Sequence, residues 1–344
     1  MARCHAGRIG SRRAPREIPM RNVFMRNRAR TAHSQHSCGT MPHPRKPDIH
    51  MQPTSLPSAS RDFLALDALE TRDLMAILEG AQDMARWWQA RRVPQVLAGR
   101  RVALPPAGNW RQNTALEVGV QAMGGTCAGV PADWGDAAQA EDAGATLGAW
   151  FDVIVTGAQQ LPTLQALAAA APCPVINAGT WRNQPLPVLG HLAWHLHRNG
   201  RLDGIKVCAV MPDCARLQSW IEAATLLPIT VVQVYASPWL ALRPAGTAPR
   251  FVTSTDMGEL QDADLIVTAP APRDAAATLL APFRLNAALL DTLRPDVDVI
   301  AAPDSHPDTC DPDTWRHAAC TGPLAHGYAL HAQNALLEWA ASGL

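Results

Sequence analysis

Two adjoining stretches decide the fold: RVAL at 101–104 and PPAGNWRQNTALEVGVQAMGG at 105–125. An apolar strand, Arg101 to Leu104, runs into a Pro/Gly break and a polar cluster. A helix follows, with Leu116, Val120 and Met123 on one face, and ends at Gly124-Gly125. Such a strand–turn–helix presents unpaired backbone N–H groups and the positive end of a helix dipole, a ready anion site. The cluster holds one cation, Arg111, among Asn109, Trp110, Gln112 and Asn113. A doubly charged phosphate is expected to meet several cations, so the pattern reads as an anion-binding frame with most of its charge exchanged.

The same alternation continues outward. Upstream, Leu74, Ile77, Leu78, Ala81, Met84, Ala85 and Trp88 recur at helical spacing after Thr71, which the pattern predicts as N-cap. Downstream come an Ala-rich helix (about 138–149), strand DVIVTG (152–157), a helix through QALAAAA and strand PVIN (174–177). After a helical segment around 188–198, IKVCAV, ITVVQV, ADLIVTA and VDVIAA read as strands, with ARLQSWIEAA as a helix. The tail YALHAQNALLEWAA reads as a helix packing through Leu330, Ala332, Leu336 and Leu337. Strand alternating with helix predicts α/β architecture: two domains, each a parallel sheet with helices on both faces, about 59–183 and 184–322. Residues 323–344 are expected to return to the first domain, and ligands are expected at the carboxyl ends of the strands.

Composition bounds the function. Of 30 basic and 30 acidic residues in the 344, residues 1–50 hold eleven and two, which leaves 19 and 28 for the rest. That body is about nine charges negative, which argues against nucleic acid as a partner. The basic head, 1–58, is Ser-, Pro- and His-rich without apolar period and is expected to be disordered. It has the Arg-rich, acid-poor look of a transit peptide but no clean amphipathic helix, so an upstream start or a tail is the preferred reading. Met20, Met25, Met41 and Met51 are alternative starts. No membrane span is evident. Eight scattered cysteines without a CxxC pair suit a reducing cytoplasm.

The order of pieces resembles the aspartate/ornithine carbamoyltransferase family across roughly 60–342. The resemblance rests on RDFLALDALETRDLMAILEGAQ, LAGRRVAL, the loop and helix to MGG, PVIN and ALHAQNALLEW, with an ending closer to the ornithine branch. It implies the two-domain carbamoyltransferase-like fold, with a carbamoyl-phosphate domain followed by an amino-acid domain. It also implies a trimer, homomeric or mixed, and a place in amino-acid metabolism such as arginine biosynthesis. The implied activity is transfer of a carbamoyl group from carbamoyl phosphate to an amino-acid amine, with no cofactor.

The family's S-T-R-T-R aligns with Asn109, Trp110, Arg111, Gln112 and Asn113, so only the middle arginine is kept. Its H-P-x-Q aligns with Gln184, Pro185, Leu186 and Pro187, and H-C-L-P with Ala302, Pro303, Asp304 and Ser305. The D-x-x-x-S-M-G stretch is absent near 268–275, and the arginine expected near the tail is Ala329. The lysine of the family's mobile loop has no counterpart in PADWGDAAQAED. The resemblance therefore implies altered or lost activity. Arg111 would serve an anion and Gln184 a carbonyl; Asn177 and Thr180 match family positions that hold the amino acid. The rival expectation is a non-catalytic paralogue that binds a metabolite or a true carbamoyltransferase subunit.

His191 and His195 lie i, i+4 with His197 nearby, but no carboxylate sits between them, so surface or domain-interface histidines are expected rather than a metal. His306, Cys310, His317 and Cys320 match no usual zinc spacing. Trp110 and Trp181 flank the expected cleft, either filling vacated phosphate space, stacking on a flatter ligand, or simply packing.

Overall fold

Four parallel strands, β1 (Arg101–Leu104), β2 (Thr126–Gly129), β3 (Val153–Gln159) and β4 (Val175–Thr180), form one sheet in the order β2-β1-β3-β4. Five more, β5 (Lys206–Val210), β6 (Thr230–Val234), β7 (Phe251–Ser254), β8 (Leu265–Thr268) and β9 (Asp298–Ile300), form a second parallel sheet, β7-β6-β5-β8-β9. The computed structural model describes residues 61–343 apart from 106–108, 132–133, 243–248, 274 and 304–308. The basic head therefore lies outside the described residues, as do Asp304, Ser305 and His306.

Helices alternate with the strands: α1 (Thr71–Gln89), α2 (Trp110–Ala122), α3 (Ala137–Trp150) and α4 (Leu161–Ala170) belong to the first sheet. The linking helix is α5 (Pro185–Asn199), and α6 (Ala215–Leu226), the short α7 (Ala277–Leu280) and α8 (Ala287–Leu290) belong to the second. The last helix, α9 (Gly322–Ala341), packs on α5, α1 and α2. The molecule is thus two α/β domains of parallel sheets. The inner strand β8 and its neighbour β9, at the sheet's edge, are buried at every residue, which is why they read as unbroken apolar runs.

One continuous apolar core runs through both halves, drawing on Leu78, Val102, Leu116, Leu189, Val207, Trp220 and Leu336. Two glycines let its helices close up. A Cβ on Gly190 of α5 would sit 2.8 Å from Cβ of Ala329 on α9, and one on Gly119 of α2 would overlap the Asn334 side chain. Among the described residues, no helix is long and apolar enough to cross a membrane.

Two local expectations are corrected, and two strands that the sequence reading missed are added. Thr71 is the first helical residue; the extended residue at the cap is Glu70, which makes no side-chain cap. The Thr71 hydroxyl donates to the Leu226 carbonyl instead, at 3.4 Å. Edge strands β2 and β7 bury none of their side chains and so gave no apolar signal. In α9, Gln333 and Asn334 are buried while Leu330 is only half-buried, because three helices cover this helix on several sides.

Candidate functional site

Each sheet reverses its strand order once, at β1/β3 and at β5/β8. Ligands in such sheets collect beyond the carboxyl ends of the strands at these switch points. At the first, β1 leads into α2, whose second residue is Arg111; at the second, β5 leads into α6, whose second residue is Arg216. Both arginines line a single pocket, with Asn109, Gln112, His191, His326 and Gln333 as further polar lining. Ala115, Pro187, Pro303 and Ala329 complete the wall. Its volume, about 70 Å³, is several times what one water needs.

The mouth is the first turn of α2. Asn109 caps it, its side chain accepting from the Gln112 N–H at 3.4 Å. The Gln112 side-chain amide donates to the Ala178 carbonyl at 2.7 Å and so ties α2 to β4. Arg111 is exposed, its guanidinium lying 4.6 Å from the centre of the Trp110 ring. Trp110 and Trp181 are largely exposed, at 65% and 74%. Neither lines the pocket, so neither fills vacated space in it. Asn113 lies half-buried, its amide reaching the Pro105 carbonyl at 3.5 Å.

The floor is built from α5, α6 and α9. His191 is buried, and its Nδ1 has no hydrogen-bond partner. Burial first, then the charges of His326 and Arg216, hold its pKa well below the usual histidine range, so it is neutral. Arg216 donates from Nη1 to the Thr268 carbonyl at 3.2 Å, while its buried Nε is unpartnered. Gln333 is 3% exposed, and its Oε1 is likewise without a partner.

Gln184, Asn177 and Thr180 lie off the pocket lining. The Asn177 amide donates to the Leu64 carbonyl and to Asn183 Oδ1, both at 2.8 Å, and its Oδ1 accepts from the Gly179 N–H. The Thr180 hydroxyl donates to Asn183 Oδ1 at 2.8 Å. Asn183 in turn donates to Glu222 Oε1 at 3.2 Å, and that carboxylate also accepts from the Leu66 N–H. Burial, followed by repulsion from Asp67, pushes the Glu222 pKa up to about 7. Gln184 stands at the N-cap of α5, its N–H donating to Ser219 Oγ at 3.0 Å. The site residues brought together in the pocket are thus Asn109, Arg111 and Gln112.

The histidines of α5 part company. His191 faces the pocket, His195 lies 3.7 Å from Asp298, and His197 stacks on Tyr328. Among the described residues, no cluster of three metal-ligating side chains forms.

The family model for the aspartate/ornithine carbamoyltransferase carbamoyl-P binding domain matches residues 61–194. Over those residues the chain resembles this family. The ornithine carbamoyltransferase of Bradyrhizobium diazoefficiens is 23% identical over 301 residues, 81% of this chain and 96% of that protein. The one from Nitrobacter winogradskyi is 26% identical over 306 residues, covering 82% and 97%. Among solved structures, the ornithine carbamoyltransferases of Burkholderia thailandensis and Pyrococcus furiosus both superpose with a TM-score of 0.76. They are 20% and 21% identical, over 82% and 84% of this chain and 99% and 100% of theirs, and they establish the fold.

Set against the carbamoyltransferase motifs, the pocket has a consistent pattern. Positions aligned with the motif glutamine, the second residue of H-C-L-P and the tail arginine are Pro187, Pro303 and Ala329, and all three line the wall as apolar groups. The polar groups come instead from His191, Arg216, His326 and Gln333, which lie outside those motifs. One signal for Arg216 was present in the sequence: it follows the second domain's first strand just as Arg111 follows the first domain's. His326 and Gln333 carried no such signal, because the period of a helix buried all round does not say which residue meets a cavity.

Proposed function

We propose that this carbamoyltransferase-family protein binds a small anion, carbamoyl phosphate or a relative of it, at the first turn of α2, and that carbamoyl transfer to an amino acid is altered or lost. The observation that carries the reading is the pocket wall, where Pro187, Pro303 and Ala329 stand at motif positions and Arg111 alone remains of the α2 charges. Carbamoyl transfer needs the donor held near attack geometry, with charge stabilised on both carbonyl oxygen and leaving phosphate. Loss of a single such donor costs on the order of a hundredfold in rate. Proline and alanine donate no side-chain hydrogen bond.

A second reading, a non-catalytic paralogue in a homotrimer or in a mixed trimer with an active carbamoyltransferase, is favoured by one further observation. The hydrogen bonds of Asn177, matched to the family's acceptor-binding asparagine, close on Asn183, the Gly179 N–H and the Leu64 carbonyl.

Calorimetric titration of carbamoyl phosphate and of phosphate into three proteins tests the anion site. Arg111→Ala should lose one charge-assisted hydrogen bond, about 1.5–3 kcal/mol; Asn113→Arg should bind tighter. Equal affinities across all three would remove the anion reading. Transfer to ornithine or aspartate at rates typical of enzymes would overturn the lost-activity reading.

A further inference from the structure

Arg216 repeats in the second domain the place of Arg111 in the first: second residue of the helix that follows the central strand at a switch point. The cap of α6, Cys214, makes no side-chain hydrogen bond to that helix. Arg216 is half-buried, is held by the Thr268 carbonyl, and pairs with no carboxylate among the described residues. His191 and Gln333 line the same pocket, and each holds a buried polar atom without a partner, Nδ1 and Oε1. Buried polar atoms are satisfied in the great majority of cases, so unmet ones on residues that line a cavity call for an explanation, and a bound ligand supplies one.

We infer that Arg216, His191 and Gln333 form a second anion subsite at the pocket floor, so that the ligand is a small acid with two anionic ends. One end meets Arg111 and the first turn of α2. The other pairs with Arg216, and the neutral His191 donates to one of its oxygens from Nδ1. Gln333 Oε1 accepts a hydrogen from an N–H or O–H of the ligand near that end. The inference rests on the α2 anion site proposed above, and the two fail separately in the following test.

Phosphonocarboxylates with one, two or three methylenes are titrated calorimetrically against alkylphosphonates of the same lengths. The full chain is used as wild type, Arg216→Gln, His191→Gln and Arg111→Ala, each first checked by its thermal unfolding midpoint. In the wild type, the best-fitting phosphonocarboxylate should bind about tenfold tighter than its alkylphosphonate, the worth of one charge-assisted contact. Arg216→Gln should abolish that advantage and leave the alkylphosphonate unchanged; His191→Gln should reduce it in part. Arg111→Ala should weaken both ligands. Equal binding of the two ligand types, or an equal loss of both in Arg216→Gln, overturns the floor subsite. An effect of Arg216→Gln with none from Arg111→Ala overturns the α2 site and keeps the floor. Absence of binding by every probe overturns both.

Discussion

The Asn177–Asn183 turn and the floor of the pocket both bury polar side chains, and they differ in their hydrogen bonds. In the turn, Asn177, Thr180, Asn183 and Glu222 close on one another and on the backbone at Leu64 and Leu66. At the floor, His191 and Gln333 each hold a buried atom with nothing opposite it. A closed network rigidifies the chain that crosses from β4 into α5, whereas an open one keeps its capacity for something that enters. Both places bury polar side chains; partnership is what separates them.

The sharpest way to break this comparison is Asn183→Ala. It strips partners from Asn177, Thr180 and Glu222 at once, and leaving buried groups unpaired should cost about 4 kcal/mol. The chemical-denaturation midpoint reads it, and a loss no larger than that of an ordinary surface change would mean the turn is not a closed network.

The charge in that network gives the next effect. The Glu222 pKa is about 7 when folded, against an ordinary 4.5. A carboxyl raised on folding contributes stability below its unfolded pKa, and that contribution is lost as pH rises through the folded value. Stability should therefore fall by about 3 kcal/mol between pH 4 and pH 8 through this group. Glu222→Gln should flatten the dependence, read as the difference in unfolding midpoints between the two pH values. An unchanged slope would place the titration elsewhere.

On the pocket side, Gly119→Ala puts a methyl into the Asn334 side chain where α2 meets α9. Overpacking of this kind should cost about 2 kcal/mol and shift the α2 mouth. The combined readout is a lower unfolding midpoint with weaker phosphate binding. A stability loss with binding unchanged would show that the mouth does not depend on this contact.

The smallest stability effect should come from Gln333→Met. Replacing an unsatisfied buried amide by an apolar group of similar shape should leave stability within about 1 kcal/mol of wild type, or raise it. A large loss would show that Gln333 belongs with the closed network rather than with the open floor.

The sequence alone determined the architecture and one arm of the site. Strand periods, the Pro/Gly break after Leu104 and the helix ending at Gly124-Gly125 are local signals, because backbone preference and amphipathic spacing act over a few residues. For the same reason Arg111, first-turn neighbour of a strand end, was legible as the mouth's cation. Edge strands β2 and β7, which bury none of their side chains, fell below that signal. Only the tertiary structure decided which polar residues share the cavity. Arg111, His191, Arg216 and Gln333 come from four helices spread over more than two hundred residues of chain, and they meet because two sheets share one core through α5 and α9. It also decided that Asn177 and Thr180 turn inward on Asn183 while His191 does not. Hydrogen-bond partnership is a property of atoms brought within about 3 Å of one another, and spacing along a sequence does not contain it.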